Sequence, residues 1–414
     1  MDIVTDSGKK NKVETAGALQ KIKYAFLTVV LLELFLGGTG RLVEFTSFLT
    51  LRMCLFLIYM CLIIVYLLIK RTLPVEVIVI VVFFLLLNIL SSVVGYVGGA
   101  ASPAIFEDVK PLLNTFLIGY LAFSVKTAAD IRYLVNLLKI SSVLLTVLHL
   151  VLYCIFLKYS DIAILYNAIN SAESNNTVFL FKGDSGFVNY TGDIYLCVGF
   201  IVWEQYTKNS WVKYLVLLLI TIAIVLTGTR GLIVALAAVY FVKWLVLKFN
   251  YKSLIYIAFG IVIVLSVYLN IKNNIGDKVE SDETRYEQIN EVKERVTPLS
   301  FVVGHGYGIG VPVKPIHMEI SFLEIFHKQG IIGLAYYFTV LFIAYRAYKR
   351  SQQQNSIGFF MCFLFIFFVS TTNPYVNHPL GITVIAIAII SMLKLGELEK
   401  MDAGVLQNQT ENNN

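Results

Sequence analysis

Arg230 stands in the run Ile-Ala-Ile-Val-Leu-Thr227-Gly-Thr-Arg230-Gly231-Leu-Ile-Val-Ala-Leu, between two apolar segments. An unpaired guanidinium in hydrocarbon costs several kcal/mol, so such a charge survives only by facing protein, water or an anion. Two more arginines lie in the polar stretch that follows. Arg285 and Arg295 fall on a helix expected from Ser281 to Val296, ended by Pro298, because the residue before a proline avoids the helical region. Ten residues apart, they are separated by about 15 Å along that axis. Arg285 is the favoured ligand of the two, since Arg295 reads equally well as the partner of Glu291 four residues earlier.

Groups able to take a proton come next. His317 and Glu319 stand at the start of a segment whose Ile320, Leu323 and Phe326 recur at helical spacing. That pattern predicts an amphipathic helix at the membrane interface, leading through Gly330 into an apolar span. An imidazole or carboxylate at its start can accept a proton from a hydroxyl. Gly304-His305-Gly306-Tyr307-Gly308-Ile-Gly310 has neither dinucleotide-binding nor P-loop spacing and reads mainly as a flexible turn. Glu324-x-x-His327 is half of a di-iron motif without its second half, so metal binding is set aside. His327 and Lys328 read as surface or headgroup contacts. Of the polar residues within apolar segments, Glu33, Glu76, Asn88, His149, Asn189 and Asp193, the densest group is Asn189-Tyr190-Thr191-Gly192-Asp193. It is expected to line the same cavity as Arg230, with His305 and Tyr307 as further substrate-lining candidates. Asn373-Pro374-Tyr375 and His378-Pro379 read as a simple turn.

The elements that position these groups are membrane spans. Hydrophobic residues make up 57% of the 414 and charged residues 14%, with a mean hydropathy of +0.75, values that belong to an integral membrane protein. Apolar stretches near 24–38, 50–69, 74–97, 111–125, 133–157, 187–206, 212–228, 231–247, 253–271, 330–345, 356–372 and 380–396 predict about twelve transmembrane helices and an all-α, polytopic fold. Alternate connections carry the Lys and Arg residues, which places residues 1–23 and 397–414 in the cytoplasm by the positive-inside rule. Two long loops, 158–186 and 272–329, then fall on the outer face, where long loops mark function. The Asn-rich tail from Ala403 is expected to be disordered. The net charge of +6 is scattered through short loops and so excludes a nucleic-acid patch. The five cysteines all lie in apolar segments and offer no disulfide framework. No cleavable signal peptide is apparent, so the first span reads as a retained anchor.

Taken in order, Thr227-Gly-Thr-Arg230-Gly231 opening a span, Arg285 ahead of Phe301-Val-Val-Gly-His305-Gly-Tyr-Gly308-Ile-Gly310, and His317-x-Glu319 before Leu323 and Gly330-Ile-Ile-Gly333-Leu resemble a known family. The chain looks like a bacterial O-antigen or capsular polysaccharide polymerase of the Wzy type, in the superfamily shared with O-antigen ligases. The resemblance implies a membrane-embedded (GT-C-like), metal-independent, inverting glycosyltransferase without cofactor. Its substrate would be a polyprenyl (undecaprenyl)-diphosphate-linked oligosaccharide at the periplasmic face of the inner membrane, with a chain-length regulator and a flippase as partners. Arg230, Arg285 and Arg295 would then bind the diphosphate, since a guanidinium fork matches phosphate oxygens. The family commonly has a histidine followed by asparagine where this chain has Glu319-Ile320, with His317 two residues upstream. His317, whose ordinary pKa of about 6.5 lies nearest ambient pH, is expected to be the base, with Glu319 orienting it or binding sugar hydroxyls and His305 third. A ligase that passes the glycan to lipid A core or protein is the alternative within the superfamily, and a lipid-linked sugar flippase the alternative from another class.

Overall fold

A computed structural model describes residues 4–38, 40, 43, 45, 49–70, 72–158, 179–182, 187–247, 279–351 and 353–411. The helices are α1 (Val4–Leu36), α2 (Leu51–Lys70), α3 (Val75–Val97), α4 (Ser102–Leu112), α5 (Leu117–Ser124), α6 (Ala128–Lys158), α7 (Ile194–Tyr206), α8 (Trp211–Leu226) and α9 (Arg230–Val242). After these come α10 (Val279–Arg295), α11 (Pro298–Val303), α12 (Ser321–Arg350), α13 (Gln353–Val369) and α14 (Pro379–Glu411). Among the described residues, five stretches are long and apolar enough to cross a membrane: Leu51–Lys70, Val75–Val97, Ala128–Ile155, Ser321–Arg350 and Pro379–Glu399, with Trp211–Leu226 and Asn355–Val369 shorter. The chain is thus a helical, multi-pass membrane protein. The span read at 253–271 lies outside the described residues, as does most of the first long loop.

Burial sorts helices of similar hydropathy. Only 17% of the span in α2 is buried inside the protein, against 83% of the span in α14. A helix apolar all round can face lipid or other helices, so α2 lies at the periphery and α14 at the centre. There α14 packs on α13, α12 and α5. α3 and α12 run antiparallel beside each other, pinned at one end by Arg350 Nη1 to Glu76 Oε1 at 2.5 Å.

Several elements differ from expectation. The 15-residue run at 111–125 is the end of a longer helical stretch that starts at Ser102. Pro111 interrupts it, and Leu113–Phe116 tightens into a 3-10 turn before α5, because proline has no N–H to continue the helical bonding. The segment at 187–206 does not begin as a helix. Phe179–Lys182 pairs antiparallel with Phe187–Tyr190, a two-stranded element within an otherwise helical fold. Aromatic and β-branched residues flank Gly183-Asp-Ser-Gly186 there, a hairpin pattern. α1 begins at Val4 and α14 continues to Glu411, so both segments read as tails are largely helical. The C-terminal correction has a simple cause, since no proline interrupts the helix formers that follow the last span.

Candidate functional site

At the end of the bundle where α3 stops and α12 begins, the glycine-rich run 304–310 is clamped between these two helices. His305 N–H donates to His327 O at 2.8 Å, Gly306 N–H to Lys328 O at 2.9 Å and Tyr307 N–H to Ser91 O at 2.9 Å. Gly306 has φ +86°, and a Cβ there would stand 2.0 Å from Gly95 N. The glycines are therefore a close backbone contact, not the flexible turn expected. Tyr307, fully buried, donates to Asn88 Oδ1 at 2.9 Å and accepts from Gln329 Nε2 at 2.5 Å.

Beneath this loop the first turns of α12 bury their polar side, contrary to the interfacial helix expected. Lys328, read as a headgroup contact, is 2% exposed. Its Nζ lies 2.7 Å from Asp108 Oδ1, 2.6 Å from Glu324 Oε1 and 2.5 Å from the carbonyl of Ile316. Asp108 Oδ2 accepts from Gly308 N at 2.7 Å. Glu324 Oε2 accepts from Asn377 Nδ2 at 3.4 Å, and Asn377 Oδ1 accepts from Tyr337 OH at 2.9 Å. Burial is tolerated because every charge has an opposite neighbour and further hydrogen bonds. α12 breaks at Gly330, whose φ is +63°, which separates this polar start from the apolar span.

His317 completes the cluster. Its Nδ1 lies 3.4 Å from Glu324 Oε1 and 3.5 Å from Asp108 Oδ1, while the ring is about half exposed. The hydrogen bond with Glu324 raises its pKa above the ordinary histidine value, against the opposing effect of its partial burial. His317, Asp108, Glu324, Lys328, Tyr307 and Asn377 line a cavity of about 270 Å³. With Nδ1 held by carboxylates, Nε2 is the nitrogen left to meet a substrate hydroxyl. Asp108, His317 and Glu324 also present ligand atoms within 4.8 Å of one another. A metal there would have to displace the Lys328 ammonium from the same two oxygens.

The other expected site residues are distributed differently. Glu319 does not join His317. Its carboxylate pairs with Arg285 Nε at 3.1 Å and Lys314 Nζ at 3.5 Å, and its N–H donates to Gln288 Oε1 at 3.0 Å, tying the loop to α10. A catalyst candidate and a diphosphate-binding candidate thus hold each other. Arg295 donates to Gly310 O at 3.1 Å rather than pairing with Glu291, whose Oε2 accepts from Val313 N at 3.2 Å. His305 is also away from the cavity, its ring packed at a tilt against that of His327 with centroids 4.6 Å apart. Burial, with the Arg295 charge adding to it, lowers the His305 pKa.

Arg230 opens α9 after a tight turn in which Gly228 has φ +58°, as the Thr-Gly-Thr-Arg-Gly spacing implies. It does not line the cavity. Its neighbourhood does include Asn189, 3.5 Å from Thr229 Oγ1, and the turn at Asn373, whose carbonyl accepts from Ser321 Oγ at 2.9 Å. Asp193 is fully buried, 3.0 Å from His149 Nε2, and its Oδ2 accepts from Tyr190 N at 2.9 Å. Tyr190 and Asp193 are therefore supports for the hairpin-to-α7 junction.

Asp108, Glu324, Lys328 and Asn377 were missed as a site. The one available signal was a carboxylate, Asp108, three residues before Pro111 in a segment entering the membrane, because charge at membrane depth needs a partner.

A polytopic helical membrane protein with a buried ion cluster and a histidine at one end of the bundle is the class these features define. No protein-family model matches the chain. Over 393 residues, 92% of this chain and 97% of the other, it is 25% identical to the O-antigen polymerase of Shigella flexneri. That similarity supports the Wzy-type O-antigen polymerase resemblance over nearly its whole length.

Proposed function

We propose that this protein is a polysaccharide polymerase that moves a polyprenyl-diphosphate-linked glycan onto a sugar hydroxyl of a second lipid-linked repeat unit. The observation that carries this reading is His317 at the mouth of the cavity, hydrogen-bonded through Nδ1 to Glu324 above the Asp108–Lys328–Glu324 cluster. His317 takes the acceptor hydroxyl proton through Nε2 as that oxygen attacks the anomeric carbon. The bond from that carbon to the diphosphate breaks, the electron pair leaves with the diphosphate, and attack opposite the leaving group inverts the centre. Glu324 orients the imidazole and stabilises its protonated form. Asp108 and Lys328 hold Glu324 in place. Arg230, on the neighbouring helix start, stabilises the departing diphosphate. The reaction runs at the periplasmic face of the inner membrane, without a metal.

The test is glycan chain-length profiling in a deletion strain complemented with variants. The expected result for His317→Ala and Glu324→Gln is a single repeat unit on the surface lipid. Complete loss of attached glycan in the deletion strain would instead identify a ligase. Normal chains in the His317→Ala strain would remove the assignment of the base.

A further inference from the structure

A second cavity of about 390 Å³ lies beside the first, between α2 and α4, and the two share Pro111 and His378 in their walls. Its lining divides into a polar end and an apolar wall. Arg52 and Lys110 stand at the polar end, and Met53, Phe56, Leu57 and Phe106 form the wall. Leu57 and Phe106 are more than half exposed, at 57% and 54%. The wall therefore continues directly into the face of α2 that the protein leaves uncovered.

Arg52 is set in place. Its Nε lies 2.9 Å from Glu33 Oε2, and Nη2 donates to Gly38 O at 3.1 Å. Lys110 adds an exposed positive charge, and among the described residues that line the groove none is a carboxylate. The N-termini of α2 and α14 also begin at this groove, at Thr50–Leu51 and His378–Pro379, and helix N-termini favour anions. An electropositive end joined to an apolar wall open to lipid fits an anionic headgroup on a hydrocarbon chain.

We infer that the groove between α2 and α4 seats the polyprenyl diphosphate lipid that carries the acceptor repeat unit, its phosphates at Arg52 and Lys110, apart from the donor diphosphate at Arg230, and its first isoprene units on Phe56, Leu57 and Phe106. The rest of the tail runs along the exposed face of α2. The linked sugar passes Pro111 and His378 into the cavity that His317 lines. This assignment rests on the polymerase reading for the identity of the lipid.

The test uses the full-length protein in nanodiscs, with undecaprenyl diphosphate as the probe and phosphatidylglycerol as competitor. Arg52→Gln would strand Glu33 and risk misfolding, so the informative variants are Lys110→Gln and Phe106→Ala at exposed positions, with Arg52→Lys preserving the pair. Loss of one charge-assisted phosphate contact should weaken binding by roughly tenfold in Lys110→Gln. A benzophenone side chain at position 106 should capture the probe, and one at position 82 on the exposed face of α3 should not. Wild-type affinity in both Lys110→Gln and Phe106→Ala would overturn the assignment. So would displacement of the probe by an equal concentration of phosphatidylglycerol, which would make this an ordinary phospholipid groove. Complete loss of attached glycan in the deletion strain, or long chains persisting there, would remove the polymerase reading alone, while the binding data would still judge the groove.

Discussion

At the scale of single residues, the proposed chemistry depends on what holds His317. General-base assistance typically contributes 10² to 10⁴-fold, so His317→Ala should lower polymerisation by about that factor in a nanodisc assay with lipid-linked substrate. As the proposed base, His317 acts only when deprotonated, and the hydrogen bond with Glu324 raises its pKa. The rate should therefore rise with pH through a value above the ordinary one of about 6.5. Glu324→Gln removes the anion that favours the protonated ring, and its acidic limb should move to lower pH. A pH–rate profile that is unchanged in Glu324→Gln would sink the coupling. For stability the sign is opposite: a raised histidine pKa stabilises the fold below the unfolded value, and that contribution is lost as pH rises through the folded value. Lys328→Ala leaves Asp108 and Glu324 as adjacent buried carboxylates without their shared cation. Removing one partner of a buried pair costs about 3–5 kcal/mol, which should appear as a lower unfolding temperature in detergent.

At the scale of elements, the site is built by backbone contact between α3, the glycine run and α12. Gly95 is as tightly placed as Gly306, since a Cβ on it would meet Tyr307 O at 2.0 Å. Gly95→Ala must push the loop away from α3 and loosen the Tyr307 bonds to Asn88 and Gln329. Gly306→Ala adds the left-handed backbone penalty of about 1–2 kcal/mol to the same clash. Both variants should shorten the surface glycan while the protein still inserts, and hydrogen exchange should rise in residues 304–310. Unchanged protection of the loop in both variants would contradict the clamp. The Thr227–Arg230 turn, by contrast, tests a side chain: Arg230→Lys should recover little of the activity lost in Arg230→Ala, because an ammonium lacks the bidentate fork. Wild-type chain length in the Arg230→Ala strain would remove that arginine from the mechanism.

At the scale of the whole molecule, the functional reading requires one orientation in the membrane. By the positive-inside distribution, we propose that the cavity mouth opens on the outer face. Pro312 and Pro315 lie in the loop 304–320 beside His317, and both are exposed. A cysteine at either position, in a background lacking the five natural ones, should react with a membrane-impermeant maleimide in cells with a permeabilised outer membrane. Reaction only after the inner membrane is lysed would invert the topology and place the cavity in the cytoplasm.

The membrane class, most helical segments and the tight turn before Arg230 were determined by local sequence, because hydropathy, glycine geometry and proline breaks act over a few residues. The motif order that resembles O-antigen polymerases was also legible, and His317 was singled out by its residue type alone. Its partner was not. Glu319 is two positions away in sequence, yet its nearest charges are Arg285 and Lys314, whereas Glu324, seven residues on, reaches His317 from the first turn of α12 and Asp108 by a contact spanning more than 200 residues. Lys328 looked like a surface charge because its two carboxylate partners come together only when α4 packs beside α12. Which apolar helix faces lipid was equally hidden: α2 and α14 read alike, and only packing leaves one peripheral and makes the other the core. Periodicity reports the neighbours a residue has along its own helix, and tertiary structure decides which charges meet across helices, where burial makes the pairing obligatory.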